Sequence, residues 1–135
     1  VVGGEKKDEK LAKNINFINR QENDKMPHFL KSADLLILPN TKELKYYKYT
    51  SPLKLFEYMA SGVPILSSNI GSISEILNED NAYLFNPENI DDAISKIENI
   101  FSNYQEAQNK SMRALINVKD YTWSKRAEKI LNFIK

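Results

Sequence analysis

Residues 51–66 constrain the fold more than any other stretch, because they specify a helix with both ends marked and a strand directly after it. Ser51 is a favoured N-cap residue, and the proline after it suits the first helical position, where no N–H is needed. Gly62 suits the position just beyond a helix, and a second proline follows two residues later. The apolar run 63–66 has the length of a short strand. The pattern predicts a helix over about 52–61 that leads straight into a buried strand.

The predicted helix carries polar groups on the side that does not pack. The N–H groups of Leu53 and Lys54, the positive end of the helix dipole and the Lys54 ammonium favour an anion at the helix start. Glu57 lies one turn further on, and its carboxylate is a good acceptor for sugar hydroxyls. These groups predict a sugar phosphate or nucleotide with its phosphates at the helix start and its ribose at Glu57. The alternative is a surface ion pair between Lys54 and Glu57 on an ordinary amphipathic helix.

The rest of the chain alternates short apolar runs with helical patterns. The runs predict strands at 1–2, 15–18, 35–38, 63–66 and 82–85. The helical patterns cover 26–32, 72–77, 90–101, 104–118 and 124 to about 134. Alternation of this kind predicts a single α/β domain over 1–135, with a Rossmann-like, three-layer parallel sheet of about five strands between helices. The continuous run 35–38 is typical of a central strand covered on both faces, and the polar loops after the strands are expected to gather at one edge.

Several side chains are expected to pack rather than to bind ligands. Trp123 is interpreted as a packing anchor before a helix that opens at Ser124, and His28 as a solvent-facing or locally bonded histidine. The expected inward residues of the last two helices are Ala107, Met112, Leu115 and Ile116, then Ala127, Ile130, Leu131 and Ile134.

Composition narrows the function classes. The 135 residues carry a formal net charge of +1, so no basic stripe for nucleic acid is predicted. Cysteine is absent and there is one histidine, which leaves carboxylates as the metal ligands to consider, and no metal site is predicted. No apolar run is long enough to span a bilayer, and the start at Val1 without methionine suggests a fragment.

Residues 51–65, SPLKLFEYMASGVPI, resemble retaining glycosyltransferases of the family 4 type, which have the two-domain GT-B fold. Residues 29–40, 71–77 and 123–130 resemble other parts of the same family in the same order. The resemblance therefore covers nearly the whole chain. It implies the C-terminal, donor-binding domain, truncated at its N-terminus and lacking the acceptor-binding domain.

The resemblance also implies roles for single residues. Glu57 matches the second of two glutamates separated by seven residues and is expected to bind the ribose hydroxyls, while Tyr49 stands where the first would be. Ser51, Leu53 and Lys54 match the segment that cradles the diphosphate. Arg20 matches the region near the nucleobase.

The implied activity is transfer of a sugar from a nucleoside-diphosphate sugar to a glycan or lipid-linked acceptor, with retained configuration. The resemblance implies no cofactor or metal, acceptor binding through the missing N-terminal domain, and little activity in the isolated fragment. It implies a bacterial, cytoplasmic enzyme, and leaves peripheral association with the inner membrane open for the full-length protein. The alternatives are a nucleotide-sugar epimerase of the same architecture, a non-catalytic flavodoxin-like binding module and a domain that has lost activity.

Overall fold

The computed structural model describes residues 14–41 and 53–134. Five α-helices and three strands alternate along these residues, with short 3₁₀ helices at Gly71–Ile73 and Val118–Tyr121. The helices are α1 (Met26–Lys31), α2 (Leu53–Ser61), α3 (Ile90–Ser102), α4 (Tyr104–Asn117) and α5 (Trp123–Phe133). The strands are β1 (Leu36–Leu38), β2 (Ile65–Ser68) and β3 (Tyr83–Phe85).

The three strands form one parallel sheet in the order β1-β2-β3. Leu38 is paired with Ser67, and Ser68 with Phe85, so the carboxyl ends of all three strands lie side by side. The backbone N–H of Asn69 donates to the Phe85 carbonyl across this edge at 2.8 Å. The predicted gathering of the loops after β1 and β2 at one edge of the sheet is therefore confirmed.

The described sheet is smaller than the five strands predicted. The first predicted strand lies outside the described residues, and the second is reduced to a single bridge residue at Ile18. Ile15 and Ile18 both stay more than a third exposed, so this segment lacks the burial that holds a strand in a sheet. β1 lies at the edge of the described sheet, and its central residue Ile37 is 44% exposed. The prediction that this strand is covered on both faces is wrong for these residues.

Helices cover both faces of the sheet, because side chains alternate across β2. Ile65 packs with Leu55 and Met59 of α2 on one face. Leu66 packs on the other face with Ile100 of α3. Helix, sheet and helix make the three layers that the alternating pattern predicts.

The helix and strand predicted within 51–66 are present with shifted bounds. Gly62 has φ +73°, the left-handed conformation that ends a helix and that glycine adopts without strain. β2 begins at Ile65 and continues to Ser68, two residues beyond the predicted end, and the Pro64 carbonyl already accepts from the Leu36 N–H. The proline has no N–H to offer a sheet, which delays the start of the strand.

The segment 72–77, which the sequence offers as a possible helix, does not form an α-helix. A 3₁₀ helix at Gly71–Ile73 is followed by turns, and Asn81 ends the segment. The buried Asn81 side chain accepts from the Asn78 N–H at 2.9 Å and donates to the Ile76 carbonyl at 3.1 Å. These side-chain hydrogen bonds replace those of a further helical turn.

The predicted packing face is confirmed only in part for α4 and is wrong for α5. α4 buries the small residues Ala107, as predicted, Ser111 and Ala114, and Leu115 is half-buried, whereas Met112 and Ile116 are exposed. Small side chains at these positions let the helix approach the core closely. α5 is capped by Thr122, whose hydroxyl accepts from the Lys125 N–H, and begins at Trp123 rather than at Ser124.

The apolar face of α5 has no cover among the described residues. Its exposed apolar side chains include Ile130, Leu131 and Ile134. Trp123 is 78% exposed, so it is not the packing anchor that the sequence suggested.

Candidate functional site

The outward face of α2 presents an unpaired carboxylate. Leu55 and Met59 are fully buried, and Glu57, midway between them, lies about 200° around the helix from each. Glu57 is exposed, and no hydrogen bond or ion pair to it is present among the described residues. Burial raises the pKa of the Tyr58 hydroxyl, and the nearby negative charge of Glu57 raises it further. Glu57 therefore keeps both carboxylate oxygens available for a ligand.

The surface ion pair that was the alternative interpretation does not form. Within the described residues, no ion pair joins Lys54 to Glu57. Both side chains are exposed on the first two turns of α2. Lys54 and Leu53 begin the described part of α2. This end of the described helix thus combines a cation and a carboxylate.

Topology places this end of α2 at the ligand-binding edge of the sheet. α2 connects the parallel neighbours β1 and β2, so it begins near the carboxyl end of β1 and returns along the sheet. Open α/β sheets bind ligands at the carboxyl ends of their strands. The same edge carries Asn40, whose side-chain nitrogen is buried with no hydrogen-bond partner among the described residues. Buried amides without a partner are rare in proteins.

A cavity of about 340 Å³ flanks Glu57 on the side of α1 and β1. Lys54, Glu57 and Tyr58 form its α2 wall, and Ile37 forms part of the β1 wall. The remaining wall is largely apolar and comes from α1 and the residues after it, including Phe29 and Leu30. The cavity therefore offers an apolar surface beside a cation and a carboxylate.

A cavity of about 300 Å³ further along α2 is lined by Asn23, Met26, Pro27, Leu30, Lys31, Glu57, Ala60 and Ser61.

A cavity of about 430 Å³ flanks Glu57 on the opposite side, between α2 and the start of α5. Its lining is aromatic and charged: Leu53, Phe56, Glu57, Asp120, Tyr121, Thr122, Trp123, Arg126 and Lys129. The rings of Phe56 and Tyr121 pack with their centroids 5.4 Å apart, and the Arg126 guanidinium lies 5.7 Å from the centre of the Trp123 ring. The ring contact joins α2 to the turn before α5, and the cation–π contact lies within α5. We call this the aromatic cavity.

The structure brings together three of the six predicted site residues. Glu57, Lys54 and Leu53 share the outward, N-terminal part of α2, and Leu53 is 72% exposed. Arg20 is exposed in the segment after Ile18 and lines none of the three cavities beside Glu57. Ser51 and Tyr49 lie outside the described residues.

The sequence interpretation missed the contribution of α5 and its preceding turn. Trp123, Arg126 and Lys129 recur every third residue, which places them close together on the helix surface. That spacing is a usable signal in the sequence. Asn40 was missed because an unpaired buried amide leaves no mark in the sequence.

Two further observations on the described residues concern metal sites and membrane-spanning helices. His28, predicted to face solvent, is exposed on α1. Within 14–41 and 53–134, no three histidine, aspartate or glutamate side chains lie close enough together to hold a metal ion. None of the helices in these ranges is long and apolar enough to cross a membrane.

A family model described as "Glycosyl transferases group 1" matches residues 4–117. The chain belongs to this family. The sulfoquinovosyl transferase SQD2 of Arabidopsis thaliana is 25% identical over 120 residues, which are 86% of this chain and 22% of SQD2. The chain thus spans about a fifth of the length of this relative.

Solved glycosyltransferase structures share the fold. Sucrose-phosphate synthase from Thermosynechococcus elongatus superimposes with a TM-score of 0.74 at 18% identity, covering 88% of this chain and 29% of the synthase. HepE from Anabaena, solved in complex with UDP, gives a TM-score of 0.75 at 17% identity, covering 87% of this chain and 31% of HepE. The fold is that of the GT-B glycosyltransferases, as the sequence predicted.

Proposed function

We propose that this chain is the donor-binding domain of a bacterial-type glycosyltransferase that transfers a hexose from a nucleoside-diphosphate sugar with retained configuration. The observation that carries the proposal is the unpaired Glu57 carboxylate on α2, one turn from a helix start that attracts anions. In this arrangement Glu57 accepts hydrogen bonds from the ribose hydroxyls. Lys54 and the first N–H groups of α2 face the diphosphate.

The two sides of Glu57 suit different parts of the donor. The largely apolar cavity beside Ile37 and Tyr58 offers a surface for a flat nucleobase, and Lys54 borders the same cavity. Asn40 offers a buried amide donor at the neighbouring strand end. HepE has been solved with UDP and with UDP-glucose, which supports a uridine nucleotide as the first ligand to test.

The proposal needs no cofactor or metal within this domain. Cations and helix-start N–H groups stabilise a departing diphosphate by charge alone. The proposal also includes a further domain that holds a glycan or lipid-linked acceptor, and a location in the cytoplasm or at the surface of the inner membrane. On this account the isolated chain binds donor weakly and transfers little sugar.

Calorimetric titration of the 135-residue chain with UDP tests the donor site. Glu57→Gln is expected to weaken binding about tenfold, because a neutral amide replaces a charged acceptor of the ribose hydroxyls. The matched control is Glu98→Gln, which removes an exposed carboxylate on α3 and should leave the affinity unchanged. Equal affinities in all three proteins, or no binding to the wild-type chain at millimolar UDP, would contradict the proposal.

A further inference from the structure

The aromatic cavity has features that the donor proposal leaves unused. Its indole, Trp123, is largely exposed, and Tyr121 beside it is 45% exposed. Tyr121 packs against Phe56, and Trp123 lies near the Arg126 guanidinium on the same helix. Large aromatic side chains usually bury most of their surface, so two accessible rings in one cavity indicate a binding surface.

The charged groups around the rings are balanced. Glu57 and Asp120 contribute two carboxylates, and Arg126 and Lys129 contribute two cations. No ion pair joins any of these four groups within the described part of the chain. Asp120, Arg126 and Lys129 therefore remain available to hydrogen-bond a ligand other than the donor.

The combination of accessible rings and charged groups favours some classes of ligand over others. A second diphosphate would meet two carboxylates, which repel it. An apolar ligand would remove four charged groups from water without giving them partners. A neutral sugar ring avoids both costs, because its C–H face lies against an aromatic ring while its hydroxyls bond to carboxylate and guanidinium groups.

We propose that the aromatic cavity binds a neutral sugar ring of the acceptor. The inference rests on the proposed function, since Glu57 lines both this cavity and the donor side and brings the two ligands next to each other. It adds an acceptor contact within this chain to those of any further domain. It also names the acceptor class as a carbohydrate.

Trp123 is the single tryptophan of the chain, so its fluorescence reports directly on this cavity. The 135-residue chain would be titrated with methyl α-glucoside, N-acetylglucosamine and maltose, with the acyclic polyol sorbitol as a control. The expected result is a saturable change in emission with at least one ring sugar at roughly 10 mM, and none with sorbitol. A flat response to every ring sugar, or an equal response to sorbitol, would overturn the inference.

Two variants on α5 separate the cavity from the rest of the helix. Arg126→Gln removes a lining cation and is expected to weaken sugar binding at least fivefold through loss of a charge-assisted hydrogen bond. Lys125→Gln removes an exposed cation outside the lining and should leave binding unchanged. Identical titrations for both variants and the wild-type chain would show that Arg126 does not contact the sugar, which also overturns the inference.

Calorimetry with UDP on the same samples separates this inference from the donor proposal. Heat of UDP binding without any response to sugars contradicts the sugar site and leaves the donor proposal intact. A saturable sugar response without UDP binding supports the sugar site and contradicts the donor proposal. Absence of both contradicts both.

Discussion

At the scale of single residues, two polar groups at the same edge of the fold lack partners among the residues that the structure describes. The Glu57 carboxylate is exposed and unpaired, and the Asn40 amide nitrogen is buried and unpaired. A buried unsatisfied donor costs about 1–3 kcal/mol of stability. A buried amide without a protein partner is a position where a ligand contact can be tested.

Replacing Asn40 separates binding from stability. Asn40→Ala removes the unsatisfied group, so the free energy of unfolding is expected to stay the same or rise by up to about 1 kcal/mol. The affinity for UDP is expected to fall about fivefold through loss of the amide donor. Urea denaturation and calorimetry measure the two effects, with Asn132→Ala on the exposed α5 as control. A drop in stability with unchanged affinity would show that Asn40 is structural.

Whether a position could be predicted from the sequence depended on whether the relevant property is local. The shared position of Glu57, Lys54 and Leu53 on α2 could be predicted from sequence because helix caps and helical spacing are local properties. Asn40 and Trp123 could not, because a missing partner or a missing cover depends on which distant segments fold against the residue.

At the scale of elements, α2 and α5 show that two helices with similar patterns of apolar residues can be buried to different extents. Both helices repeat apolar residues at helical spacing. α2 packs between α1 and α4 and buries Leu55 and Met59 completely, while every described residue of α5 is exposed. The period of a pattern reveals a helix and its apolar face but not whether another layer covers that face. The wrong packing predictions for α5 have this cause.

Substitutions on the two helices are expected to differ accordingly. Leu55→Ala leaves a cavity in the core and should lower the free energy of unfolding by about 2–5 kcal/mol. Ile130→Glu replaces a side chain that is 55% exposed and should change it by no more than about 0.5 kcal/mol. Chemical denaturation of both variants measures the difference. A loss of several kcal/mol for Ile130→Glu would contradict the exposed position of α5.

At the scale of the whole molecule, parallel topology gathers the candidate site. Strand pairing brings the carboxyl ends of β1, β2 and β3 to one edge, and the crossover brings the start of α2 to the same edge. The layered α/β architecture was predictable because helices and strands alternate throughout. The number of strands was not, since the weak run 15–18 could only be judged against its neighbours in space. Glu57 lies between an apolar cavity and the aromatic cavity. The donor and the proposed acceptor sugar therefore occupy cavities on opposite sides of this residue.

The most direct test of the central claim, that Glu57 binds the donor ribose, is a cycle of two ligands and two proteins. UDP and 2′-deoxy-UDP would be titrated by calorimetry into the wild-type chain and into Glu57→Gln. The wild-type chain is expected to prefer UDP about tenfold, and the preference should fall to nearly one in the variant, because the hydroxyl and the carboxylate act as a pair. The same preference in both proteins would contradict the assignment of Glu57 to the ribose.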